Sequence, residues 1–191
     1  MLKKYIFLFV MTAVTSIVGA QSPILGVEFG SGYDVVYNAL SERFGPSSVN
    51  KLDDEHIQVK DFEYLIEDVK INNIYISFSD IDGECLLASI SFTSEPYVLS
   101  YESDKNKIME FNGYAVKSCN KIALALNEKY KVSGVEKRID TSKLWTVFYK
   151  VAVDENVSGI ITAYFKASKT LMVQNGTSFV RLTYSDKRYV K

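Results

Sequence analysis

Residues 39–49 read Ala-Leu-Ser-Glu-Arg-Phe-Gly-Pro-Ser-Ser-Val, and residues 125–135 read Ala-Leu-Asn-Glu-Lys-Tyr-Lys-Val-Ser-Gly-Val. Five of the eleven positions are identical without a gap, and Ser41/Asn127, Arg43/Lys129 and Phe44/Tyr130 are chemically similar. The offset is 86 residues, half of what remains once the first twenty are removed. Each copy closes a helical pattern and opens a region of strands, the signature of an internal repeat. In the first half Tyr33, Val36, Tyr37, Leu40 and Phe44 recur at helical spacing, with Ser31 as the expected N-cap and Gly45-Pro46 as the stop. In the second half Val116, Cys119, Ala123, Leu126 and Tyr130 make the matching stripe. Both helices are amphipathic and need an apolar surface to cover.

Strand patterns follow each helix. The first set is His56–Lys60, Glu63–Val69, Ile74–Ser79 and Cys85–Thr93, with Asp82-Gly83 as the hairpin turn before the last. The second is Val135–Ile139, Leu144–Val153, Ile160–Ala167, Thr170–Gln174 and Ser178–Ser185, with Asn175-Gly176 as a further turn. Alternation puts Leu86, Ala88, Ile90 and Phe92 on one side of their strand and Cys85, Leu87, Ser89 and Ser91 on the other. The expected fold class is α+β: two tandem helix-plus-antiparallel-meander units, residues 21–94 and 114–191, with helices packed on one face of the sheet or sheets. Residues 95–113 form the expected connector, holding a short helix around Ser103–Phe111 and broken by Asn112-Gly113.

The N-terminus has the form of a cleavable leader. Lys3 and Lys4 precede an uncharged apolar stretch, Tyr5–Val18, and Val18 and Ala20 give the small-residue spacing for cleavage after Ala20. The run is shorter than the ~20 residues a spanning helix needs. Residues 1–20 are therefore expected to be a signal peptide, and the rest a periplasmic or secreted chain that does not span a membrane. No cysteine follows the cut, so the lipid-anchor pattern is missing. Hydrophobic residues make up 47% of the sequence, which argues for a packed core. Lys and Arg number 22 against 23 Asp and Glu, a balance with no electrostatic case for nucleic acid.

Two cysteines, Cys85 and Cys119, leave two readings open. An oxidising compartment permits a disulfide, worth about 3 kcal/mol for a loop of roughly 34 residues. The other reading is two separate buried thiols, since Cys119 lies on a helix's apolar stripe and Cys85 alternates with Ser89 and Ser91.

Gly26-Val27-Glu28-Phe29-Gly30 before the first helix and Arg43-Phe44-Gly45 at its end, in a tandem helix-plus-meander plan, resemble the beta-lactamase-inhibitor-like group. The half-unit is similar to the small outer-membrane assembly lipoproteins of the SmpA/OmlA type. The resemblance implies a non-enzymatic protein that binds partners through a concave, aromatic sheet face. The lipidated cysteine of the lipoprotein members has no counterpart here, and no binding motif of the group maps onto individual positions.

Catalytic patterns are absent. His56 is the only histidine, which excludes a multi-histidine metal site, and its acidic neighbours Asp53, Asp54 and Glu55 read as a solvated strand entry. No Gly-Xaa-Ser-Xaa-Gly elbow, Walker loop or dinucleotide fingerprint occurs. Gly30-Ser31-Gly32 reads as a helix entry rather than an anion cradle. Asp80, Asp82 and Glu84 read as a hairpin tip without calcium-loop spacing. No cofactor and no metal is expected.

Aromatics are the remaining signal. Thirteen Tyr, eleven Phe and one Trp occur, and alternation places Trp145, Val147, Tyr149 and Val151 on one side of their strand. If helices cover one side of the sheet, Trp145, Tyr149, Tyr164 and Tyr184 are candidate binding residues on the other, because Tyr and Trp give rigid contact area at low entropic cost. The structural alternative is cross-strand aromatic pairing. The expectation is an exported, non-catalytic module that binds a protein or cell-envelope component through an exposed aromatic sheet face. The alternative is a small-ligand carrier with a pocket between helices and sheet.

Overall fold

The computed structural model describes residues 24–102, 104–136, 145–167 and 174–190; the leader and its cleavage site lie outside them. The elements run α1 (Tyr33–Phe44), β1 (Val49–Lys51), β2 (His56–Val59), β3 (Tyr64–Ile66), β4 (Val69–Ile81), β5 (Glu84–Ser94), β6 (Tyr97–Glu102), α2 (Lys105–Asn127), β7 (Lys131–Glu136), β8 (Trp145–Ala152), β9 (Val157–Ala167) and β10 (Gln174–Asp186).

All ten strands belong to one antiparallel sheet, ordered β1-β2-β4-β5-β10-β9-β8-β7. Its two 13-residue strands each serve two shorter ones along a single edge. β4 takes β2 and β3, and β10 takes β5 and β6. The expected pair of tandem helix-plus-meander units therefore gives way to a single large sheet with two helices among the described residues. β5 and β10 pair directly, from Thr93–Arg181 to Ser89–Ser185. An unpaired strand edge leaves a row of N–H and C=O groups to be satisfied elsewhere, and this pairing closes two such edges at once.

Local chemistry accounts for most elements. At the β4–β5 turn Asp82 and Gly83 both have positive φ, 55° and 87°, which a tight primed hairpin demands. The Asp80 carboxylate accepts the Gly83 N–H at 2.9 Å. The N-cap of α1 is Gly32, not Ser31. The Ser31 carbonyl instead accepts the Leu87 N–H at 2.9 Å, and the Gly30 N–H donates to the Leu87 carbonyl at 3.0 Å. The residues ahead of α1 thus occupy the part of β5 that β10 does not reach.

Helix α2 absorbs the expected connector helix and runs 23 residues through Asn112-Gly113. Phe111, Ala115, Cys119, Ile122 and Ala123 are buried at helical spacing. That continuous stripe outweighs the ~1 kcal/mol that an interior glycine costs. Asp104 caps the helix by accepting the Asn106 N–H at 2.8 Å. Asn175-Gly176 is not a turn: it lies inside β10, at a register shift against β6.

Both helices cover the same side of the sheet. Val36 and Leu40 of α1 join one apolar cluster with Ala115, Cys119 and Ile122 of α2 and with Ile76, Ile90, Ile161 and Leu182 of the strands. A register shift shapes this side. Ser77 pairs with Ser89 but Phe78 pairs with Leu87, so Ala88 is an extra residue in β5. Leu87 therefore joins Ile90 and Phe92 beneath the helices, and the expected Leu86-Ala88-Ile90-Phe92 row is broken. Among the described residues, no helix is long and apolar enough to cross a membrane.

Candidate functional site

The side of the sheet away from the helices is largely polar. His56, Ser77, Ser89 and Ser185 align across four strands, and so do Gln58, Tyr75, Ser91 and Thr183. Gln58 donates to Asn73 at 3.0 Å, and the hydroxyls of Ser91 and Thr183 share a hydrogen bond of 2.8 Å. Strand alternation alone produces this surface, because each of these residues flanks a buried apolar or aromatic side chain.

Aromatic rings mark two places on this open side. At one end the His56 ring leans over Tyr75, with centroids 5.2 Å apart. Its Nδ1 lies 2.7 and 2.9 Å from the two Asp53 carboxylate oxygens. The Glu55 N–H, and then His56, hold the Asp53 carboxyl below its ordinary pKa. Burial, and then Asp53, raise that of Tyr75. No nucleophile completes a triad here: the other ring nitrogen of His56 makes no hydrogen bond among the described residues.

At the other place Tyr164 stacks on Phe179 with centroids 5.0 Å apart and planes 14° from parallel. The Arg181 guanidinium sits over both rings, 5.3 and 5.9 Å from their centres. Its Nε is buried without a hydrogen-bond partner, and Arg181 makes no ion pair among the described residues. Beside this cluster opens a depression of about 600 Å3 whose walls include Lys60, Lys70, Asn73, Thr93, Thr177 and Phe179.

The four aromatic candidates part company. Tyr164 is on the open side. The register sets Trp145 opposite Tyr164 and Phe148 opposite Thr162, with an extra residue between them in β8. Trp145, placed by its backbone alone, thus falls in the Tyr164 row, and Tyr149 does not share its side. Tyr149 faces α2, where its hydroxyl donates to Asn120 Oδ1 at 2.6 Å. Burial, and then Cys119, raise its pKa. Tyr184 is buried on the helix side, its ring against Gly159 of the neighbouring strand. Of the residues that make the open cluster, Phe179 and Arg181 escaped the sequence reading. Their signal was the alternation Phe179, Arg181, Thr183 against Val180, Leu182, Tyr184 in one strand.

Cys85 and Cys119 are separate free thiols, Cys85 half-buried and Cys119 buried. Cys85 Sγ donates to the Asp54 carbonyl at 3.1 Å, near α1. Cys119 is fully buried in α2, and that burial pushes its thiol up to about 12. No group of three or more His, Cys, Asp or Glu is placed to hold a metal ion among the described residues.

No protein-family model matches the chain, and no curated protein or solved structure is significantly similar to it. Nothing in these comparisons bears on the beta-lactamase-inhibitor-like group.

Proposed function

We propose that the protein is an exported, non-catalytic binding module that engages a protein or cell-envelope component through the open side of its sheet. The leader sequence at residues 1–20 supports export. The observation that carries the binding reading is Arg181. A guanidinium held over two rings, with no acid beside it among the described residues, can turn its terminal N–H groups to a partner's carboxylate or carbonyl. The stacked pair of Tyr164 and Phe179 gives the rigid aromatic area typical of energetic centres in interfaces. The depression beside it gives a partner side chain a place to insert.

The test is capture of envelope components by the tagged mature chain. Tyr164→Ala and Arg181→Ala should each lose the captured component, while Leu124→Ala, an exposed position on α2 on the other side of the sheet, should keep it. Equal capture by all three, with fold verified by circular dichroism, would remove the open side as the binding surface.

A further inference from the structure

Strand β10 stops short of the far end of β5. Its last pair with β5 is Ser185–Ser89. Beyond that point Leu87 is paired by the residues ahead of α1: its N–H donates to the Ser31 carbonyl at 2.9 Å, and its carbonyl accepts the Gly30 N–H at 3.0 Å. Gly32 bridges to Leu86. The residues after β10 close over this junction. Asp186 ends β10 and is fully buried. Arg188 reaches back to both of its carboxylate oxygens, with Nε at 3.0 and 3.2 Å and Nη2 at 2.6 Å. The same carboxylate accepts the Arg188 N–H at 2.9 Å, and the Asp186 carbonyl accepts the N–H groups of Tyr189 and Val190. The turn so formed carries the Tyr189 ring to Gly30, which has φ 85°. A Cβ on Gly30 would lie 2.6 Å from Tyr189 Cζ, so ring and backbone meet with no room between them. The Arg188 guanidinium also lies over the Tyr189 ring, 5.2 Å from its centre.

A buried carboxylate is tolerated only with its partners, and removing one leaves an uncompensated charge. Asp186 stands at the very end of its strand, so peeling back residues 187–190 returns it to water without disturbing the ladder behind it. Segments with few buried apolar contacts are the ones that open locally. Gly30, Ser31 and Gly32 have almost no side chain to bury, whereas Leu25, Val27 and Phe29 just before them are buried. The hold on residues 30–32 is therefore their bonding to β5 and the Tyr189 ring.

We propose that residues 186–190 form a clasp that locks the entry to α1 onto β5, and that its release opens this end of the sheet while the β5–β10 ladder stays closed. The ion pair fixes the turn, the turn places Tyr189, and Tyr189 presses Gly30 to its partner. In the open form the N–H and carbonyl of Leu87 are free, an unpaired edge to which another extended chain can add. The clasp makes no use of Arg181, so it stands apart from the open-side reading.

The experiment follows amide hydrogen exchange by NMR in the mature chain and in the Arg188→Ala and Tyr189→Ala variants. In both variants the Gly30 and Leu87 amides should exchange about tenfold faster or more, the scale expected for a lost charge-assisted bond. The amides of the β5–β10 ladder, Ser89 to Thr93, should keep their parent rates. Tyr189→Ala leaves Asp186 its partner and supplies the test if Arg188→Ala does not fold. Unchanged exchange at Gly30 and Leu87 in a folded variant would overturn the proposal. So would an equal acceleration along the ladder, which would show that the whole sheet opens together.

Discussion

Strand β10 passes through two environments with every step. Val180, Leu182 and Tyr184 are buried beneath the helices, while Phe179, Arg181, Thr183 and Ser185 are half-buried on the open side. The backbone ladder is common to both, so the difference lies in the side chains. Beneath the helices, fully burying an Ile, Leu or Phe contributes about 1.5–3 kcal/mol. On the open side, hydroxyl pairs and ring contacts contribute roughly 0.2–1 kcal/mol each. One side therefore carries most of the stability of the fold.

The contrast can be broken by substitution. Ile90→Ala removes a fully buried side chain from the helix side and should cost about 2–5 kcal/mol by chemical denaturation. A loss under about 1 kcal/mol would show that this side is loosely packed. Gly159→Ala comes next. A methyl group there would meet the Tyr184 ring at 3.0 Å and Val151 at 3.3 Å, and overpacking of this kind costs about 1–3 kcal/mol. The same variant should alter the near-ultraviolet circular dichroism of the tyrosines, and an unchanged spectrum would count against the contact. Ser91→Ala, on the open side of the residue next to Ile90, breaks only its bond to Thr183. Its expected cost is about 0.5–1.5 kcal/mol, and a cost equal to that of Ile90→Ala would erase the distinction between the sides.

The smallest effect concerns acid. The Lys121 ammonium bonds to the Asp68 carboxylate, tying α2 to the β3–β4 turn, and holds its pKa below the ordinary carboxylate value. A carboxyl whose folded pKa is depressed stabilises the fold above its unfolded pKa, and that contribution fades as pH falls through the folded value. Stability should therefore decline slightly more between neutral pH and the acid range in the parent chain than in Asp68→Asn. Because the pair is exposed, the difference is small, and denaturation series at several pH values would detect it. An identical pH profile would leave the pair without energetic weight.

Much of the local structure was legible from residue chemistry. The Asp82-Gly83 turn has the positive φ angles its sequence demands, and Gly45 ends α1 at φ 86°. The apolar stripes of both helices were legible too, although the length of α2 was not, because a glycine inside a helix reads like a stop until the stripe on either side is seen as one. The faces of strands were less legible. Period-two alternation predicts sides only while the register is regular. One extra residue at Ala88, and another in β8 between Trp145 and Phe148, each reverse the assignment beyond them. That is why Leu87 is buried with Ile90, and why Tyr149 faces α2 while Trp145 falls in line with Tyr164. The open side as a whole needed still more. Ser91 and Thr183, 92 residues apart in sequence, became neighbours only through the pairing of β5 with β10.

The sequence by itself determined the amphipathic helices, the tight hairpin and the alternating strands of this protein, because backbone preference and burial period act over a few residues. Only the tertiary structure decided that the strands would join into one sheet, which side of each would be covered, and that the Arg181 guanidinium would lie over Tyr164 and Phe179. Those outcomes depend on register and on edge pairing between distant segments, where a shift of one residue moves a side chain from one face of the sheet to the other.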